Sequence, residues 1–161
     1  MSKIDELIDE LCPDGVHFIE LKSLVSVANR GVDKIFKDGE KEVKLLNYMD
    51  IARNRYINTF VLTASTSASV KQIIDCDIKK GDVFITPSSE TKDDLAHASV
   101  ITEDIKNAVY SYHIMRLRKH KDVNLNSSYL AYLFRSDQIQ SQIAIKTTGM
   151  TRFGLTKLYP Q

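Results

Sequence analysis

A single mixed α+β domain, with a twisted, mainly antiparallel sheet flanked by helices, is what this sequence predicts, on three observations. Its 161 residues suit one core rather than two. Helical and strand-like apolar periodicities interleave along the chain without strict strand–helix–strand repetition. Hydrophobic residues make up 43% and charged residues 27%, ordinary proportions for a globular chain.

The elements follow in order. Ile4, Leu7, Ile8 and Leu11 fall at helical spacing, and Ser2 with Glu6 favours a helix start. Cys12, Pro13, Asp14 and Gly15 stop that helix, because proline and glycine continue one only at a cost. Phe18, Leu21, Leu24 and Val25 read as a second short amphipathic helix, with Val27 leading into a strand. Residues 30–41 form a polar, glycine-containing connection. Residues 43–51 read as a buried strand, and residues 52–58 as too polar for core. Residues 65–69 form a small-residue loop capping a helix over 70–74. Residues 77–82 look like a turn feeding a strand over 83–86. Residues 99–102 and 109–117 are further strands, the second apolar on both alternating faces, as in a central strand covered on both sides. Leu130, Leu133, Phe134, Ile139 and Ile143 keep one helical stripe across residues 127–145, with Asn126 or Ser127 as N-cap. Residues 155–159 return as a short strand.

A net charge of +1 favours no partner by itself, but its distribution is uneven. Residues 1–115 carry 14 Lys/Arg against 19 Asp/Glu, whereas residues 116–161 carry 8 against 2. A basic end neutralises phosphates even in a near-neutral protein, unless folding intermixes the two regions. No apolar run approaches the roughly 20 residues of a membrane helix. The acidic, amphipathic start is unlike a secretory signal, so the cytoplasm is the expected compartment. Cys12 and Cys76 lack metal-ligand spacing, and neither zinc nor a disulfide is indicated. Glycine-rich nucleotide loops, nucleophile elbows and His-Glu-x-x-His pairs are absent, as is the Asp/Asn-Pro-Pro-Tyr/Phe element of adenine methyltransferases. His17, His97, His113 and His120 are scattered. Glu90 with Asp93 and Asp94 reads more readily as a solvated loop than as an acid–base pair, and a small hydrolase built around His97 is the weakest function class.

Two segments carry most of the functional signal. Thr147, Thr148, Gly149, Met150, Thr151, Arg152, Phe153, Gly154 and Leu155 pack hydroxyls, two glycines and an arginine into nine positions. Glycines let a backbone approach a partner closely, while hydroxyls and arginine hydrogen-bond to phosphates and base edges. The second segment runs Gly81-Asp82-Val83-Phe84-Ile85 and on through Pro87, Ser88, Ser89 and Glu90. Leu11-Cys12-Pro13-Asp14-Gly15-Val16 precedes them, Lys44-Leu45-Leu46-Asn47-Tyr48-Met49-Asp50-Ile51 lies between, and Leu158-Tyr159-Pro160 follows. In this order, over nearly the whole chain, the pieces resemble the target recognition domain of the specificity (S) subunit of type I restriction–modification systems. They match that family's Cys-Pro-(Asp/Glu)-Gly-Val opening, its "GDxxI" turn and strand, and its "xxGxTRxGL" closing segment.

The resemblance implies a DNA methylase specificity-domain-like fold, with an opening helix (1–15), a DNA-reading region (16–158) and the start of an exit toward a spacer helix (159–161). It implies sequence-specific reading of one half of a bipartite duplex target. Adenine methylation and cleavage would lie on methyltransferase (M) and restriction (R) partner subunits. S-adenosylmethionine, ATP and Mg would sit there too, with no cofactor and no catalytic residue on this chain. Complete S subunits carry two such domains in tandem, so an excised first domain, a truncated gene product or a half-length subunit able to self-associate is expected. Candidate DNA contacts are Arg152, flanked by Thr148 and Thr151, against a plain ion pair in a structural turn. Arg53, Asn54, Arg55 and Tyr56 form a second group, and Ser88, Ser89 and Lys92 a third, each against a merely exposed loop. Arg30 and Lys34, with Lys37, form an electrostatic rim. Arg116, Arg118, Lys119 and Lys121 read either as a further basic stripe or as the solvent end of a strand. The alternative function is a protein-interaction adaptor that docks methyltransferase subunits through residues 4–11 and 127–145, with little DNA affinity of its own.

Overall fold

A computed structural model describes residues 2–15, 19–91, 95–149 and 153–155. The chain opens with α1 (Lys3–Leu11), α2 (Leu21–Leu24), β1 (Val25–Ala28), β2 (Lys41–Leu46) and α3 (Tyr48–Arg53). It continues through β3 (Tyr56–Ile57), β4 (Ala64–Ala68), α4 (Val70–Asp75), β5 (Val83–Ile85), β6 (Ser88–Ser89) and β7 (Ala98–Ile101). It ends with β8 (Ala108–Tyr110), β9 (Met115–Lys119), α5 (Ser127–Leu133), α6 (Asp137–Lys146), β10 (Thr147–Thr148) and β11 (Phe153–Leu155).

The fold is mixed α+β with mainly antiparallel pairing, and its strands divide among three sheets rather than one. The largest has the order β1-β9-β5-β7-β3, antiparallel throughout except for the parallel edge pair β7–β3. A second has the order β4-β2-β8, with β2 antiparallel to β4 and parallel to β8. A third, β10-β11-β6, is antiparallel and short.

The large sheet lies between two cores, and β5 shows why. Successive strand side chains point to opposite faces. Val83 and Ile85 join Leu130, Phe134 and Ile143 of the α5–α6 layer, whereas Phe84 joins Leu45, Val109 and Tyr110 of the second sheet. The Phe84 and Tyr110 rings meet at 5.1 Å, linking the two sheets. Complete burial of a phenylalanine such as Phe84 contributes about 1.5–3 kcal/mol. β5 is thus covered on both faces, and β7 and β8 are likewise buried at every position, so residues 109 and 110 are covered as expected although residues 109–117 do not form one strand.

Several local expectations are corrected. Residues 43–51 are not one strand: Asn47 Oδ1 accepts from the Met49 and Asp50 amides, Asp50 Oδ2 accepts from Asn47 N, and this capping box starts α3. Residues 109–117 split into β8 and β9, which belong to different sheets. Residues 64–68 form a strand rather than a loop, although Ser69 does cap α4 as expected. The long helix over 127–145 breaks after Leu133, where Ser136 Oγ donates to Leu133 O at 2.7 Å and caps α6 through Ile139 N. The α1 cap pairs Ser2 with Asp5 rather than Glu6. Phe18 and residues 156–159 lie outside the described residues.

Candidate nucleic-acid interface

The small sheet joins the two segments singled out in sequence. Thr147 ends α6, its Oγ1 donating to Ile143 O at 2.7 Å, and the chain enters β10 directly. Gly149 takes a φ of +131° at the turn, a region that disfavours side chains. β11 then pairs Thr147 with Leu155 and Thr148 with Gly154 on one side. On the other side it pairs Phe153 with Ser89 and Gly154 with Ser88. Leu155 N donates to Pro87 O at 2.8 Å, completing the join.

Register assigns the faces, since directly opposed residues share one. Phe153 and Leu155 pack inward against the α5–α6 core, and Ser89, opposite Phe153, is buried with them. Ser89 Oγ accepts from Thr91 N at 3.3 Å, a local turn contact. Thr148, Gly154 and Ser88 form a row across the outer face. Thr148 is exposed and Ser88 half-buried. A Cβ at Gly154 would meet nothing nearer than Pro87 O at 4.0 Å. The fold thus has room for a side chain there, unlike at Gly31, whose Cβ would fall 2.2 Å from the Ser111 carbonyl carbon. Arg152, Thr151 and Lys92 lie outside the described residues.

The second candidate group sits at the β3 edge of the large sheet. Asn54 ends α3 with its Nδ2 donating to Asp50 O at 2.9 Å, so its amide serves the helix terminus. Buried Ser99 Oγ donates to Ile51 O at 3.0 Å and contacts Asn54 O, holding this corner against β7. Arg53, Arg55 and Tyr56 are exposed. Arg55 and Tyr56 form one wall of a cleft of about 50 Å³, whose other wall is Ser128, Tyr132 and Arg135. Ala98 and Val100 of β7 lie at its base. Sequence reasoning missed this second wall. In the helix expected over 127–145, Ser128, Tyr132 and Arg135 stand four and three residues apart and share a face, and that spacing was the available signal.

Arg30 and Lys34 lie on the connection between β1 and β2, and both are exposed. This loop is pinned by Val32 N donating to Tyr110 O at 2.8 Å, Thr66 Oγ1 to Asp33 O at 2.9 Å and Lys37 N to Ser67 Oγ at 2.7 Å. Arg30 O accepts from Cys76 Sγ at 3.1 Å. Burial pushes the Cys76 thiol up, and Arg116's charge offsets this only in part, so Cys76 is a packed thiol rather than a nucleophile.

Of the basic stripe of residues 116–121, Arg116 and Arg118 are neutralised. Arg118 Nε and Nη2 reach Asp82 Oδ1 and Oδ2 at 2.6 and 2.7 Å, a bidentate pair around a carboxylate that is 1% exposed. Arg116 Nη1 and Arg118 Nη1 reach Asp77 Oδ1 at 2.7 and 2.9 Å. Burial pushes Asp77 up, but hydrogen bonds from Lys79 and Arg118 and the charges of Arg118 and Arg116 outweigh it and hold the carboxyl below its ordinary value. The hydrogen bond to Asp82 leads in holding Arg118 above the ordinary arginine value. Gly81 and Asp82 therefore have a structural role: Gly81 turns at φ +86° and Asp82 anchors β9. Folding does intermix acidic and basic regions at this point.

Among the described residues, no group of three His, Cys, Asp or Glu could hold a metal ion, and no helix is long and apolar enough to cross a membrane. His97 donates its amide to Thr86 Oγ1 at 3.0 Å, and Asp93 and Asp94 lie outside the described residues.

The sequence matches no protein-family model and no curated protein. Among solved structures, the chain is similar to the S subunit of a type I restriction–modification system from M. genitalium, at 11% identity and a TM-score of 0.45. The match covers 85% of this chain and 30% of that S subunit's length.

Proposed function

We propose that this chain is a sequence-specific DNA-binding module reading one half of a bipartite target, as a target recognition domain spanning residues 1–161. Adenine methylation and cleavage, with S-adenosylmethionine, ATP and Mg, belong to M and R partner subunits. The observation that carries the reading is the outer row Thr148–Gly154–Ser88. It unites the two segments on which the family resemblance rests, and its central glycine answers to no demand of the fold. A bare backbone flanked by hydroxyls suits close approach of a phosphate or groove edge. Arg152, Thr151, Lys92, Arg53, Arg30 and Lys34 are the further DNA contacts in this reading.

The test is selection from randomised duplex DNA by the purified chain, with and without its M subunit, followed by binding to the Gly154→Ala variant. Enrichment of a short adenine-containing motif supports the reading. Gly154→Ala is expected to keep or raise stability, by up to about 1 kcal/mol, through reduced freedom of the unfolded chain. The same change should weaken binding to the selected duplex at least tenfold. Equal affinity of the variant and wild type would remove the row from the interface.

One observation favours the adaptor reading. α1 buries no residue, and Ile4 and Leu11 are 67% and 72% exposed on an otherwise acidic helix. M-subunit binding without any enriched motif would make protein docking the better account.

A further inference from the structure

The cleft between the α3–β3 corner and α5 holds two arginines and no carboxylate among its lining residues. Arg55 precedes the edge strand β3, and Arg135 sits in the break between α5 and α6. Neither makes an ion pair with a described residue, in contrast to Arg116 and Arg118, whose carboxylates are in contact. Both arginines line the cleft, and burial, then the positive charge of Arg55, push Arg135 below the ordinary arginine value. Arginine stays protonated at neutral pH, and an uncompensated pair is relieved by an anion between the two. Tyr56 and Tyr132, 61% and 65% exposed, and Ser128 add neutral hydroxyl donors. The cleft, of about 50 Å³, is small and admits a phosphate-sized group.

Its position fits the DNA reading. Ala98, at the base of the cleft, is paired with Ile85, three residues before Ser88. Cross-strand and chain spacings together place it within ~16 Å of the hydroxyl row, on the scale of the ~12 Å major groove.

We infer that Arg55 and Arg135 together clamp one phosphate group, a backbone phosphodiester of the duplex whose half-site the small sheet reads. The source of the phosphate rests on the proposed DNA-reading function, whereas the clamp rests on the cleft alone. A phosphate clamp positions the duplex and carries no sequence information.

Two measurements test it with the full chain. Duplex binding is followed against salt for wild type, Arg55→Gln/Arg135→Gln and Arg55→Lys/Arg135→Lys, with urea midpoints confirming that each is folded. The glutamine pair is expected to lower affinity on selected and unrelated duplexes alike, to leave the selected motif unchanged, and to reduce the log K–log salt slope by about 0.9 for the one phosphate lost. The lysine pair should keep the slope. An unchanged slope in the glutamine pair, or loss confined to the selected motif, overturns the clamp. Separately, inorganic phosphate is titrated against the arginine Nε–H NMR signals. Saturable shifts at Arg55 and Arg135, exceeding those at exposed Arg30, support the clamp even where no duplex binds, in which case the half-site reading alone has failed. Shifts absent, or equal to those of Arg30, overturn it.

Discussion

Replacing Arg118 by methionine isolates the buried ion pair that underlies the Gly81–Asp82 segment. The change strips two short hydrogen bonds, at 2.6 and 2.7 Å, from a carboxylate that is 1% exposed. Asp82 Oδ2 keeps the Lys79 amide at 2.8 Å, and Asp77 keeps Arg116 at 2.7 Å and Lys79 at 2.9 Å. The loss therefore concentrates on Asp82. Orphaning one partner of a buried pair costs about 3–5 kcal/mol. The lower end applies, because one amide donor remains and the Arg118 side chain is 26% exposed, letting water reach the gap. A cost of about 3 kcal/mol corresponds to roughly 150-fold in the unfolding equilibrium, against a typical total of about 5–15 kcal/mol. With a urea m-value near 2 kcal/mol/M, the midpoint falls by about 1.5 M. Adding Asp82→Asn removes the orphaned charge, so the double variant should be more stable than Arg118→Met alone. A midpoint shift under about 0.3 M, or costs that simply add in the double-mutant cycle, would refute the buried-pair account. Residual folded Arg118→Met should retain the wild-type salt slope on DNA, since a neutralised arginine touches no phosphate.

Two further outcomes are expected. Gly31→Ala forces a Cβ to 2.2–2.4 Å from the Ser111 and Tyr112 backbone, and retreat would break the Val32 N–Tyr110 O bond; a cost of about 3 kcal/mol, at the upper end of overpacking, should appear in thermal melts, and a near-native melt would contradict the packing described. In acid, Asp77 is held below its ordinary value, so below about pH 4 the unfolded chain binds its proton first and stability falls as pH drops through the depressed value. Asp50 is shifted the opposite way, burial raising it against the Asn47 amide, so its protonation first favours the folded state. Urea midpoints between about pH 3 and 7 should show a shallower acid limb in Asp77→Asn and a lost upper component in Asp50→Asn. Limbs that superpose on wild type would exclude both assignments.

Elements governed by neighbouring residues were legible in the sequence. The Ser2 cap and the Cys12–Pro13–Asp14–Gly15 stop bound α1, and Ser69 starts α4, because capping and breaking act within one turn. Apolar runs were less informative. Residues 43–51 suit a strand or a helix, and the Asn47–Asp50 box decides midway. In 127–145 the helical stripe continues across the break, while Ser136 competes for backbone bonds inside it. Of the candidate site, the two signal segments were visible, but their meeting in one sheet was not. Register between Gly154 and Ser88 is a tertiary fact, as is the cleft that Arg55 and Arg135 share. The neutralisation of Arg116 and Arg118 needed the folded position of Asp77, although their alternation did place both on one face.

The faces of the small sheet divide its residues by the kind of change each tolerates. Phe153 and Leu155 pack against the α5–α6 core with buried Ser89 beside them, whereas Thr148, Gly154 and Ser88 stand on the opposite face. Mutations along the outer row escape the selection for folding that acts on the inner one. On the proposed DNA-reading function, a lineage could exchange those three positions, and with them the recognised sequence, while every strand, cap and buried pair beneath stays the same.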